Sequence, residues 1–140
     1  MRIEYVSLFV QDIQRSEMFY QKYFRAKEDW ISTDKQSCLL KFSDDVRLEL
    51  LKNAEPGQKR RARFAISVGG PEMIEALARA IENDGYECSQ HLEKTKDGRY
   101  RAIVLDPDKN ELELVEENLM IFSRKSRDFS HGMDSPYQAL

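Results

Sequence analysis

Pro107-Asp108-Lys109-Asn110-Glu111-Leu112-Glu113-Leu114-Val115 restates a phrase from the first half of the chain, Ser43-Asp44-Asp45-Val46-Arg47-Leu48-Glu49-Leu50-Leu51. Each is an acidic turn followed by a strand with one glutamate between two leucines. On an alternating strand, a charge flanked in this way faces away from the side that packs. Glu49 and Glu113 hold matching places, so the chain reads as two copies of one unit. What the two carboxylates look at is the functional question.

The repeat extends outward from these phrases. Residues 3–10 alternate, with Val6, Leu8 and Val10 on one face and Tyr5, Ser7 and Phe9 on the other. Asp12 suits the N-cap of a helix over 13–24, where Ser16, Phe19, Tyr20, Tyr23 and Phe24 recur at helical spacing. Strands follow at 27–33, 37–43 and 46–52, with turns at Asp34-Lys35 and Asp44-Asp45. Residues 53–61 form a polar connection. The pattern then begins again, with Phe64, Ile66 and Val68 opposite Arg63, Ala65 and Ser67. Pro71 opens a second helix, marked by Ile74, Leu77, Ala78 and Ile81, and Gly85 follows its end. Strands are expected at 86–92, 100–106 and 111–116, with a turn at Lys96-Asp97-Gly98.

Each half is therefore strand, helix, strand, strand, strand, and such internal repeats decide architecture. The expected class is α+β: tandem βαβββ modules forming one curved mixed sheet around a cleft, with the helices outside. The domain is expected to span 1–116, as repeats of about 1–52 and 62–116, with 117–140 expected as a C-terminal tail, a short capping segment fading into disorder. Tyr5, Ser7, Glu49, Arg63, Ala65, Ser67 and Glu113 avoid the helix-packing face and line the cleft.

The composition fits an ordinary globular domain: 140 residues, 41% hydrophobic and 34% charged. No apolar run reaches the roughly 20 residues of a membrane-spanning helix, and the first residues read as a strand, not a secretory h-region. Two cysteines, Cys38 and Cys88, suit reduced thiols and a cytoplasmic location. Both are expected to be buried small hydrophobes, not nucleophiles. The net charge of −3 argues against a nucleic-acid surface, and the basic run Lys59-Arg60-Arg61 with Arg63 is too short to reverse that.

The strand at 3–10, the aromatic helix, Arg47-Leu48-Glu49-Leu50, Phe64-Ala65-Ile66-Ser67-Val68-Gly69 and the segment 106–114 together resemble the vicinal oxygen chelate superfamily. That superfamily includes glyoxalase I, bleomycin-resistance proteins and extradiol dioxygenases. The segments stand in family order over nearly all of residues 1–116. The resemblance implies a divalent metal held by up to four cleft side chains, in glyoxalase-like members usually a histidine on the first strand and a glutamate on the last strand of each half. The matching places are Tyr5, Glu49, Arg63 and Glu113. The glutamates match; the histidines have become tyrosine and arginine. Arginine is cationic at any accessible pH and cannot coordinate a metal. Its guanidinium is expected to replace the ion, offering forked donors to Glu113, Glu49 or both.

The resulting expectation is a glyoxalase-like protein that binds a small molecule in its cleft, with a degenerate or absent metal site. Tyr5, Ser7, Glu49, Arg63 and Ser67 would hold the ligand, against walls that include Phe9, Trp30 and Leu51. No cofactor is the simpler reading, and a divalent metal on Glu49 and Glu113 is its competitor. One alternative is a metal-dependent lyase or isomerase resembling glyoxalase I, with Glu113 as catalytic base and His91 as a displaced ligand. The other is a non-enzymatic, dimeric interaction protein whose tail (Phe122, Phe129, Tyr137) straps onto its partner. A homodimer is expected, with neither nucleic acid nor membrane as partner. On blander readings, Glu49 pairs with Arg47 or Lys41 on an exposed strand, and Arg63 belongs to a solvated basic loop.

Overall fold

A computed structural model describes residues 1–53 and 61–117. Most of the polar connection, and the tail with Phe122, Phe129 and Tyr137, lie outside the described residues. The element order is β1 (Val6–Val10), α1 (Ile13–Phe24), β2 (Lys27–Ile31), β3 (Ser37–Lys41), β4 (Arg47–Lys52), β5 (Arg63–Gly69), α2 (Pro71–Asn83), β6 (Cys88–Lys94), β7 (Tyr100–Leu105) and β8 (Glu111–Glu116). The expected βαβββ order is present twice.

Three end signals legible in the sequence, Asp12, Pro71 and Gly85, are present, whereas Arg25, the left-handed C-cap of α1, was not among them. The Asp12 carboxylate accepts from the Arg15 amide, which would otherwise be an orphan donor of the first turn. Pro71 begins α2, and Gly85, with φ of 96°, follows its C-cap Asp84. Some strands are shorter than expected, for local reasons. The Ser32 hydroxyl engages Asp34, Gln36 and Ser37, so residues 32–36 form a turn, not strand ends. The Tyr86 amide bonds back to the Ile81 carbonyl, and β6 accordingly starts at Cys88, not 86.

The strands form two four-stranded mixed sheets with the same internal order, β1-β4-β3-β2 and β5-β8-β7-β6. The first strand of each module runs parallel to the last, and the other pairs are antiparallel. The two registers superimpose: Ser7 lies opposite Glu49, and Ala65 opposite Glu113. Leu8, Leu40, Leu48 and Leu50 from one sheet, and Ala102, Val104, Leu112 and Leu114 from the other, are buried under the helices. With Phe19, Tyr20, Ile74 and Ile81 they make one contiguous core. This burial is the dominant favourable term in the fold.

Helix α1 ties the modules together. Its Tyr20 hydroxyl donates to Asp106 at 2.7 Å, and its Ser16 hydroxyl to Asp108 at 3.1 Å. Phe19 stacks edge-on against Tyr86, with centroids 4.9 Å apart. Lys22 and Tyr23 both hydrogen-bond Asp84 and hold its carboxyl below the usual carboxylate range. Asp106 is itself buried and organises the turn, accepting from the amides of Asp108 and Asn110 and from the Asn110 side chain. The second acidic phrase is thus a socket for α1. No helix of the described residues is long and apolar enough to cross a membrane.

Candidate functional site

Alternation decides which side chains share the face away from the helices. On the first sheet a row runs Ser7, Glu49, Leu39, Trp30; on the second the matching row is Ala65, Glu113, Ile103, Gln90. Each glutamate sits within its row, flanked on both sides. The next row places Arg63 opposite Glu111. Ser7, Arg63, Ala65 and Ser67 are exposed, and Glu49 and Glu113 are half-buried. Trp30 is also exposed.

Two clusters result. In the first, the Ser7 hydroxyl donates to Glu49 at 2.7 Å. Arg47 turns instead to Asp29, at 2.9 Å, and Lys41 to Asp45, at 3.1 Å. Neither of the cations proposed to neutralise Glu49 on an ordinary exposed strand does so. In the second, Glu113 lies between two guanidiniums: Arg63 Nη2 is 3.5 Å from Oε2, and Arg101 Nη1 is 3.5 Å from Oε1. Arg63 also reaches Glu111 at 3.5 Å, and Arg101 is anchored on Glu93 at 2.9 Å.

Arg63, the first residue of β5, stands on the sheet face. Its partners are Glu113 and Glu111. Among the described residues, no hydrogen bond or ion pair joins it to Glu49. Tyr5 is half exposed and precedes β1, which begins at Val6 and not at residue 3. Ser67 lies opposite Val115, two residues past the Glu113 row. Among the described residues, neither bonds to Glu49, Arg63 or Glu113. His91 lies away from this face, bonded to Glu82 of α2, and is no substitute ligand there. Arg101 escaped the sequence reading. The alternation of β7, with Ala102 and Val104 buried, was the signal that puts Arg101 and Ile103 beside Glu113.

The donor set decides what such a face can hold. Divalent transition ions want imidazole, thiolate or several carboxylates around one point. Here the two glutamates stand on separate sheets, no imidazole accompanies them among the described residues, and one is flanked by two fixed cations. These residues do not fit a divalent metal. The faces offer guanidinium donors at one cluster and a carboxylate acceptor at the other. Both thiols are free, Cys38 buried and Cys88 only half-buried. Burial pushes the Cys38 thiol well up, and Cys88 is shifted the same way. Neither is an activated nucleophile.

A family model described as the Glyoxalase/Bleomycin resistance protein/Dioxygenase superfamily matches residues 2–114. A search of curated proteins gives no match. Among solved structures, a lactoylglutathione lyase from Agrobacterium tumefaciens is similar, with a TM-score of 0.67, 18% identity, and coverage of 84% of this chain and 95% of that one. A possible glyoxalase from Bacillus cereus gives 0.66 and 20%, over 82% and 98%. A mutant of the fosfomycin resistance protein FosX of Listeria monocytogenes, complexed with Mn(II) and a dihydroxypropylphosphonic acid, gives 0.70 and 17%, over 88% and 96%. At these identities the likeness is one of fold.

Proposed function

We propose that this chain, which belongs to the Glyoxalase/Bleomycin resistance protein/Dioxygenase superfamily, binds a small polar molecule on its glutamate-bearing sheet faces without a metal there. The observation that carries this reading is the pair of guanidiniums 3.5 Å from Glu113. A carboxylate so placed serves to aim Arg63 and Arg101, and those cations occupy the field that a metal would need. Arg63 keeps about half its surface open to solvent, so it can present donors to a ligand acceptor. Glu49, with Ser7 on one oxygen, accepts a donor from the ligand, and Tyr5, Ser67, Phe9 and Trp30 complete the surface. In this reading Glu113 positions Arg63 and is not a proton-transfer base, because a guanidinium already stands at each of its oxygens.

The protein acts as a homodimer in the cytoplasm. Among the described residues, neither β1 nor β5 pairs with a strand of the other module; each bonds within its own sheet only. Ile3, Tyr5 and Val6, at and just before the start of β1, are exposed apolar surface, of the kind a second copy covers. The two free thiols suit the cytoplasmic setting.

A thermal-shift panel of polar metabolites on chelator-treated protein tests the binding role. At about 100 times its Kd a ligand adds about 2.7 kcal/mol, a clear rise in Tm. The rise should survive chelation and disappear in Arg63→Ala. A metal that copurifies through chelation, with methylglyoxal–thiol turnover lost in Glu113→Gln, would instead assign a metal-dependent lyase.

A further inference from the structure

Away from the glutamate faces, α2 and β6 bring together a second constellation. The ligand atoms of Glu82, Cys88 and His91 all lie within 4.8 Å of one another. The His91 Nε2 is 3.0 Å from one Glu82 oxygen and 3.2 Å from the other. From this geometry we infer a binding site for a borderline-soft divalent cation of the zinc class, held by the Cys88 thiolate, His91 Nε2 and a Glu82 oxygen, with a fourth position open to water.

The local fold builds this arrangement by breaking a rule. Cys88 and His91 are three residues apart, and on a regular strand an odd spacing sends side chains to opposite faces. Against β7, Cys88 faces Val104 while Gln90 faces Ile103, so two steps on β6 match one step on β7. Such a bulge reverses the parity of the residues beyond it, and His91 comes round to the helix side beside Cys88. Gly85 and the bond from the Tyr86 amide to the Ile81 carbonyl then return the chain along α2, placing β6 next to Glu82.

The chemistry of the three donors is consistent with one ion. Zinc–nitrogen and zinc–oxygen bonds of about 2.0–2.1 Å in a tetrahedron separate the two ligand atoms by roughly 3.3 Å. The 3.0–3.2 Å between His91 and Glu82 is close to that without rearrangement. Sulfur, nitrogen and oxygen together select zinc-like ions over magnesium or calcium, which take oxygen donors. The field is also favourable. Glu82 sits in the last turn of α2, the negative end of the helix, and that turn has no basic residue. The acids adjoining it in sequence already have partners: Asp84 is committed to Lys22 and Tyr23, Glu87 pairs with Lys109 and Glu93 with Arg101. Glu82 and His91 are exposed and Cys88 is half-buried, so an ion can enter from solvent.

The test is a Co(II) titration of the full chain after chelation. One equivalent should bind and produce the near-ultraviolet thiolate-to-cobalt charge-transfer band, which zinc should displace. Cys88→Ser should abolish the band. His91→Ala should weaken binding by roughly ten- to a hundredfold or more, since even indirect partners of a ligand carry that cost. Cys38→Ser and Glu113→Gln should leave both band and affinity unchanged. The unmutated protein supplies an independent readout, in which zinc should protect Cys88 from alkylation, mapped by mass spectrometry. A missing band, a band that persists in Cys88→Ser, or Cys88 alkylated equally with and without zinc would overturn the assignment.

Discussion

Lys109 adopts φ of 68°, and so does Asp45, its counterpart in the first module. A left-handed backbone at a residue with a Cβ costs roughly 1–2 kcal/mol, and the turn that launches each glutamate strand imposes it twice. Asp45 has a short side chain that tolerates the conformation better than lysine does. Lys109 gains only a half-exposed pair with Glu87 at 3.7 Å, which contributes little. Lys109→Gly should therefore raise stability by up to about 1 kcal/mol, less the extra entropy glycine loses on folding. Urea melts of the two proteins check this, and a destabilised glycine variant would mean that the turn carries no such strain. At this scale the glutamates were legible because alternation is local. Arg101 was not, because its pairing with Glu113 crosses from β7 to β8.

The contact between α1 and the second acidic turn belongs to the scale of elements. Tyr20 is fully buried and gives its hydroxyl to Asp106, which is 2% exposed. Burial pushes the Asp106 carboxyl up from its ordinary value, and the donors from Tyr20 and Asn110 pull the other way. With the folded pKa above the unfolded one, the folded protein holds its proton more tightly. Asp106 therefore favours folding most below the unfolded pKa, and that contribution is lost as pH rises through the folded pKa. Tyr20→Phe removes a donor to the charged form and lifts the carboxyl further. Its cost should be about 1.5–3 kcal/mol, typical of a hydrogen bond to a charged group, and larger at neutral pH than in mild acid. Equilibrium unfolding at a series of pH values would show the widening gap; a pH-independent cost would mean that Asp106 is neutral throughout. The periodicity of α1 marked Tyr20 as core. That its hydroxyl has a partner in the other module depends on how the modules pack.

For the whole molecule, the two sheets share one core on the helix side and leave their glutamate faces open. Glu49 lies on one sheet, with Tyr5 just ahead of its first strand, and Arg63 and Glu113 lie on the other, with no hydrogen bond or ion pair between the halves among the described residues. In the homodimer proposed above, a second copy supplies the missing half to each face and covers the apolar start of β1. Light scattering should give twice the 16.4 kDa chain mass. Val6→Lys, which puts a charge on a residue 48% exposed, should shift the mass toward one chain while leaving far-ultraviolet circular dichroism unchanged. A monomeric parent protein would sink the homodimer.

The repeated phrase, its turns and the period-two strands were enough to specify two βαβββ modules and the face on which Glu49 and Glu113 stand. Those features depend on neighbours in sequence, where helix and strand geometry leave little choice. Only the tertiary structure decided that Arg63 reaches Glu113 and not Glu49, that Arg101 completes the pair, and that a bulge carries His91 to Cys88 and Glu82. Each of these depends on register between strands or on the packing of a helix over a sheet. A one-residue shift in register redirects a side chain to the opposite face, and no local pattern in the chain records it.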